Sequence, residues 1–318
     1  MANGDQIKGL LKAHYSQDDS RFKTIALQIA ASEARSGHAA LAREIKDIID
    51  KSSVQKKIVK MQGDNQLIEC YITDNREQEL VVSEEIRIRI ERILTEYRQR
   101  ERLRSFGMKN RSKILLEGSP GTGKTLTASI IANELNIPLY VVQMDKLITK
   151  FMGETSAKLR QIFETIAENR AVYLFDEFDA IGADRSLDNE VGEMRRVLNS
   201  FLQFLEHDDS ESIIIAATNN SKMLDQALFR RFDDVLHYSE PDEKQIRRLF
   251  QIKLGEFYSS RAITKKVIDA VIGLSHADIT KVCEDCIKLI ILESKTMNAE
   301  LLLTCIMERT AAYVSKEA

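Results

Sequence analysis

Proline and glycine are scarce here, with 3 and 13 in 318 residues, against about 5% and 7% in average proteins. A chain so poor in turn formers, with 43% apolar and 30% charged residues, reads as helix-rich, folded and soluble. Long hydrophobic runs are absent too: the longest, about Ile213 to Ala217, is far short of the ~18 residues of a membrane span. The N-terminus MANGDQIKGLLKAHYSQDD has no uninterrupted signal-peptide core, so a cytoplasmic chain with no membrane partner is expected. Cysteine is limited to Cys70, Cys283, Cys286 and Cys305, too few for a disulfide framework in a chain of this length. The lone CEDC pair lacks a second CxxC or a histidine pair, which leaves reduced, partly buried thiols. A net charge of −3 gives no general reason to expect nucleic acid or an anionic membrane as partner.

The length fits about two domains. Residues 1–60 carry 11 Lys and Arg against 7 Asp and Glu, so the basic charge gathers at the N-terminus. Phe22, Ile25, Ala26, Ile29 and Ala30 recur at helical spacing, as do Leu41, Ile45, Ile48 and Ile49. Gly37 between them predicts a hairpin of two helices. A polar stretch from Lys51 to Thr73 reads as a linker. One helix is predicted over 84–104, with Ile86, Ile90, Ile93 and Tyr97 on one face. Its seven arginines alternate with Glu84, Glu85, Glu91, Glu96 and Glu101, the pattern of a solvated, ion-paired helix rather than a nucleic-acid stripe.

Beyond Ser112 short apolar runs alternate with helical patterns: KILLEG, PLYVVQ, AVYLFDE, SIIIAATN and DDVLHY. Such alternation predicts an α/β fold, a parallel sheet with helices on both faces. After Pro241 only helical periodicity remains. The expected division is a helical N-terminal docking domain with its linker over 1–78, an α/β nucleotide-binding subdomain over 79–240, and a helical lid over 241–318.

The strongest chemical signal is Gly118, Ser119, Pro120, Gly121, Thr122, Gly123, Lys124 and Thr125, followed by Leu126. This is a full GxxxxGK[ST] between a predicted strand and a predicted helix. Glycines let backbone amides converge on phosphate oxygens, and the helix N-terminus adds its positive dipole. Lys124 suits the β and γ phosphates of ATP, and the Thr125 hydroxyl suits Mg²⁺. The run Ala171 to Phe175 ends in two adjacent carboxylates, at the strand end where open α/β sheets bind ligands. Asp176 there suits the Mg²⁺ shell, and Glu177 the attacking water.

Taken together, GSPGTGKT, YLFDEFDAIGADR, IIIAATNN and LDQALFRRFDD, in that order, resemble the AAA+ ATPase family, in its protein-remodelling branch with one nucleotide module. The resemblance covers about Glu84 to Val314. It implies a P-loop nucleotide subdomain, a helical lid and a homo-hexameric ring with ATP sites between subunits. It makes Asn219 the polar sensor of the γ phosphate or water, and Arg230 and Arg231 the arginines offered to a neighbouring subunit's site. Many relatives separate those two arginines, whereas here they are adjacent. Their division of labour therefore stays open, with Arg230 the first choice for the finger.

Lys150, Phe151, Met152 and Gly153 resemble the pore loop with which that branch grips a polypeptide, Phe151 being the aromatic grip. Simple packing of Leu147 with Phe151 is the alternative. Gly273 to Ile279 resembles the segment that closes over adenine. It places Ala277 where other branches carry a sensor arginine, and His276 reads as a surface residue at a helix start. Cys283 and Cys286 are expected to share an apolar face with Ile279 and Ile287.

Neither HExxH nor a nucleophile elbow is present, so the motor must hand its work to another protein. The N-terminal segment resembles those of small bacterial AAA+ ATPases paired with subtilisin-like serine proteases. More loosely it resembles the helical adaptors of severing and scission ATPases. The expected activity is ATP hydrolysis coupled to remodelling, unfolding or chaperoning a protein partner. An ATP-switched scaffold that binds one partner without moving it is the alternative, and a nucleic-acid motor is disfavoured for want of a basic appendage.

Overall fold

A computed structural model describes residues 67–71, 75, 77–148, 152–179, 188–220, 226–293 and 295–314, with 8, 9, 12, 25, 26, 28–30 and 32 near the N-terminus. The chain forms two compact units, Met1–Lys57 and Ile58–Ala318. In the first, the described residues are helical, and Ala26, Ile29 and Ala30 are buried as their spacing predicts. Gly9 lies so close to Ile25 that an added Cβ would stand 3.1 Å from Ile25 Cδ1. Leu41, Ile45, Ile48, Ile49 and Gly37 lie outside the described residues.

The second unit is built on a six-stranded sheet. In chain order its elements begin with β1 (Ile68–Tyr71), α1 (Glu84–Arg98), α2 (Arg100–Ser105), β2 (Lys113–Gly118), α3 (Lys124–Glu134), β3 (Leu139–Val142) and α4 (Met144–Leu147). Next come α5 (Met152–Glu168), β4 (Val172–Phe175), α6 (Asp188–His207), β5 (Ile213–Thr218), α7 (Gln226–Phe229) and β6 (Asp234–Tyr238). The last four helices are α8 (Glu243–Leu254), α9 (Lys265–Val271), α10 (His276–Glu293) and α11 (Ala299–Val314).

The sheet order is β1-β3-β4-β5-β2-β6. All pairings are parallel except β1 with β3, which is antiparallel. The mixed α/β architecture is thus the expected one, with an added edge strand inside the stretch read as a linker. β1 has only four residues, but Leu67 and Cys70 turn inward and Gln143 N–H donates to Leu67 O at 2.8 Å.

Alternation along the central strands feeds two cores. Leu115, Tyr173, Phe175, Ile214 and Ala216 face α5 and α6, where Phe163, Phe175, Phe178 and Phe201 pack in stacked, edge-on and tilted pairs with centroids 4.7–6.2 Å apart. Ile114, Leu116, Leu174, Ile215 and Ala217 face α1 and α3. Buried on both sides, these strands read as continuous apolar runs, which is why they are visible in the sequence.

The expected 84–104 helix breaks at Gln99, because the Arg100 guanidinium takes the Tyr97 carbonyl (3.2 Å) and stacks on its ring. Five of the seven arginines, Arg87, Arg89, Arg98, Arg100 and Arg104, are ion-paired, though several partners lie elsewhere. Arg89 meets Asp234, Arg98 meets Glu134, and Arg104 meets Glu211. These pairs tie α1 and α2 to edge strand β6, the end of α3 and the loop before β5.

Beyond β6 all described elements are helical and share a third core with Val81. α8 starts with a capping box between Asp242 and Gln245, and its glutamine partner supplies the reciprocal bond. Ser275 caps α10 by pairing with Asp278 (2.6 Å), which also receives Arg309 from α11 (2.8 Å). All four cysteines are free and buried. Ile279, Cys283 and Cys286 are fully buried with Ile287 packed beside them, as the spacing predicts. Burial pushes the Cys283 thiol up to about 12, which keeps it unreactive.

Candidate nucleotide site

The turn from β2 into α3 needs backbone that only glycine adopts freely. Gly118, Gly121 and Gly123 have φ of 147°, 75° and 104°. Gly118 also runs against β6, where an added Cβ would meet Tyr238 O at 2.1 Å. The loop wraps Lys124, only 6% exposed, whose ammonium donates to Gly118 O (2.7 Å) and Ser119 O (2.9 Å). Burial lowers its pKa, opposed by Asp176 and Asp179. A buried cation held only by its own loop's carbonyls is suited to receive an anion.

Across the cavity, β4 delivers Asp176. Its Oδ2 accepts from Thr125 Oγ1 at 2.7 Å and its Oδ1 from Glu177 N at 2.9 Å. Glu177 is exposed and holds a left-handed φ of 52°, a conformation that costs free energy for a residue with a Cβ. It persists because the next peptide is fixed: Phe178 N–H donates to Ala217 O at 2.8 Å, with the ring fully buried. Asp179 Oδ1 then accepts from Thr218 Oγ1 (3.3 Å) and Asn219 N (3.2 Å), tying the end of β5 to the carboxylate turn.

These groups converge on one cavity of about 400 Å³, within the usual range for a small-molecule site. Its polar end holds Gly121 to Thr125, Asp176, Glu177 and Asn219. Its other end is formed by Glu79, Leu80 and Val81 before α1, by Leu249 and Lys253 of α8, and by His276, Ala277 and Thr280 of α10. The start of α10 touches the loop directly, since Ala277 N–H donates to Gly121 O at 3.0 Å. Pro120 and Leu126 also line the cavity. Thr122 is buried with its hydroxyl on Ser119 O (2.8 Å), which shapes the loop.

Arg230 and Arg231 follow α7, both exposed, and neither lines the cavity. Arg231 is ion-paired with Glu206. The segment after them is anchored: Phe232 is buried, Asp233 accepts from Ser112 N and Lys113 N (2.9 Å each), and Asp234 takes Arg89. Lys150 and Phe151 lie outside the described residues; Met152 and Gly153 begin α5, their side chains outside the description.

Sequence reading missed three features. Asp179 is signalled only by being a third carboxylate three residues after Asp176. Nothing local marks Glu79–Val81. His276, read as a surface residue, instead lines the cavity with both ring nitrogens shielded from solvent.

Among known proteins, the family described as "ATPase family associated with various cellular activities (AAA)" matches residues 114–240. The "Uncharacterized AAA family ATPase y4kL" of Sinorhizobium fredii is 33% identical over 93% of this chain and 91% of its own length. The chain belongs to the AAA family, and it is a nucleotide-binding ATPase. It is also 30% identical, over 54% of its length, to a "Putative 26S proteasome regulatory subunit homolog" of Methanothermobacter thermautotrophicus, covering 46% of that protein. It is 32% identical, over 62% of its length, to the "ATP-dependent zinc metalloprotease FtsH" of Parabacteroides distasonis, covering 30% of that protein. The proteasome and FtsH relatives are thus matched over less than two thirds of their own length. Among the described residues no helix is long and apolar enough to cross a membrane.

Proposed function

We propose that this chain hydrolyses ATP with Mg²⁺ in the described cavity and couples the reaction to remodelling a protein partner. The observation that carries the site assignment is the direct Thr125–Asp176 contact (2.7 Å) beside the buried Lys124 ammonium, with Glu177 next in chain. A hydroxyl and one carboxylate are hard oxygen donors, the small protein contribution Mg²⁺ takes when phosphates complete its shell. Bound there, the ion offsets charge on the β and γ phosphates. Lys124 and the loop amides hold those phosphates, Glu177 orients and deprotonates the attacking water, and Asn219, positioned by Asp179, fixes water or γ phosphate.

Arg230 is the arginine finger. Its neighbour Arg231 is engaged within the protomer by Glu206, and the anchored Phe232–Asp234 segment holds Arg230 at the surface. Because neither arginine reaches its own cavity, the finger acts on a second copy, which supports a homo-oligomeric ring, read as a hexamer. Residues 1–78 dock the partner, 79–240 bind and turn over nucleotide, and 241–318 form the lid that brings Ala277 to the nucleotide.

Similarity to a proteasome regulatory subunit homologue and to FtsH supports a protein as the object of the work. A co-acting subtilisin-like protease is the partner class indicated by the N-terminal resemblance, in a cytoplasmic setting. Phe151 grips the polypeptide. In an ATP-driven unfolding assay Phe151→Ala abolishes remodelling. Unchanged remodelling in that variant overturns threading, and ATP-dependent partner binding without remodelling by the wild type favours the regulatory scaffold.

A further inference from the structure

Behind the phosphate loop, two buried hydroxyls form a short chain of hydrogen bonds. Tyr238 ends β6 and Thr127 lies in the first turn of α3, 111 residues apart in sequence, and their oxygens meet at 2.7 Å. Thr127 is fully buried and Tyr238 is nearly so. Thr127 Oγ1 donates in turn to Gly123 O at 3.1 Å, the same carbonyl that accepts from Thr127 N–H at 2.9 Å. Each hydroxyl has one proton, so the order that uses both runs from Tyr238 through Thr127 to Gly123. Burial raises the Tyr238 pKa, which keeps the donating proton in place. Tyr238 also backs the start of the loop, since it pairs with Gly118 across β2 and β6.

We propose that Thr127 and Tyr238 are positioning residues for phosphate binding, fixing the direction of the Lys124 backbone N–H through the Gly123 carbonyl. This rests on the reading of the loop as the phosphate site and adds to it what holds one of its donors in place. Gly123 O and Lys124 N–H belong to one planar trans peptide and point in opposite directions. Holding the carbonyl back along α3 therefore aims the N–H forward out of the helix, at the end where Gly121 to Thr125 line the cavity. That amide is among the first four of the helix, which have no intrahelical acceptor, and an anion is the partner such amides suit. The need for a brace is local. Gly123 stands at a φ of 104° with no side-chain cap on α3, so nothing in its own side chain restrains the peptide plane. The two hydroxyls supply that restraint from the buried side.

The test is equilibrium binding of ATP and of inorganic tripolyphosphate to the full chain, beside urea unfolding without nucleotide. It compares wild type, Thr127→Ser, Tyr238→Phe and the double variant Thr127→Val with Tyr238→Phe. The double variant replaces both hydroxyls by apolar groups of similar shape, which is nearly neutral for folding, so it unfolds at the wild-type midpoint. It binds ATP and tripolyphosphate each about 5-fold more weakly, within the range of one net hydrogen bond. Tyr238→Phe leaves the Thr127 bond unbraced and loses about 3-fold, at the lower end of that range. Thr127→Ser keeps the hydroxyl and binds both ligands as wild type does. A role confined to packing predicts instead that affinity stays with stability in the double variant. Tripolyphosphate bound as tightly by the folded double variant as by wild type overturns the inference. Should the double variant not fold, Tyr238→Phe decides, and unchanged tripolyphosphate affinity there overturns it. Failure of the wild type to bind either ligand instead overturns the assignment of the loop as the phosphate site.

Discussion

Thr125 Oγ1 and Asp176 Oδ2 meet at 2.7 Å although 51 residues separate them in the chain. The contact joins the first turn of α3 to the end of β4, and it exists because β4 and β2 flank β5 in one parallel sheet. Both strands therefore open toward the same edge, where Lys124, Glu177 and Asn219 also line the cavity. The arrangement of these groups is a consequence of sheet order.

The two adjacent arginines are expected to differ in role. Arg230→Ala lowers steady-state ATP hydrolysis by roughly 10³-fold, the scale of a lost arginine finger, while each protomer still binds ATP. Arg231→Ala loses an exposed pair with Glu206 and shifts stability by no more than about 1 kcal/mol. Hydrolysis assays and thermal melts on both variants check this, and equal loss of turnover in both would assign the finger to the pair.

Gly118 is a structural requirement distinct from phosphate binding. Gly118→Ala places a Cβ against Tyr238 O and forces an L residue to a φ of 147°, so β2 and β6 must separate. Overpacking of this kind costs about 1–3 kcal/mol or more, and the variant is expected to lose that stability in urea unfolding without nucleotide.

The nucleotide-free protein is expected to lose stability in mild acid through His276. The His276 pKa is lowered by burial, so below the ordinary imidazole value of about 6.5 the unfolded chain binds a proton that the folded chain refuses. Stability therefore falls as pH drops through that value and the loss levels off below the folded-state pKa. His276→Leu removes this component. Urea melts of the two proteins at pH 8 and pH 5.5 are expected to diverge in the acid, with the wild type losing more.

Much of this was legible in the residues themselves. Five strands announce themselves as apolar runs, and the phosphate loop by its glycine spacing. β1 did not, because four residues in a polar stretch become a strand only by pairing with β3. The helix break at Gln99 depends on where the Arg100 side chain goes. The far side of the cavity was invisible for a related reason: Val81, Leu249 and His276 meet only after the C-terminal helices fold back onto the sheet. Cavity lining from three distant segments leaves no local pattern, so His276 looked like any residue at a helix start.

Glu177→Gln tests the central claim most directly, by measuring ATP hydrolysis and ATP retention on the same preparation. The account predicts turnover reduced at least about 100-fold, the lower range for loss of a general base, with ATP still bound at one per protomer through Lys124 and the loop. Hydrolysis at the wild-type rate in that variant would contradict the assignment of Glu177 as the base and the chemistry built on it.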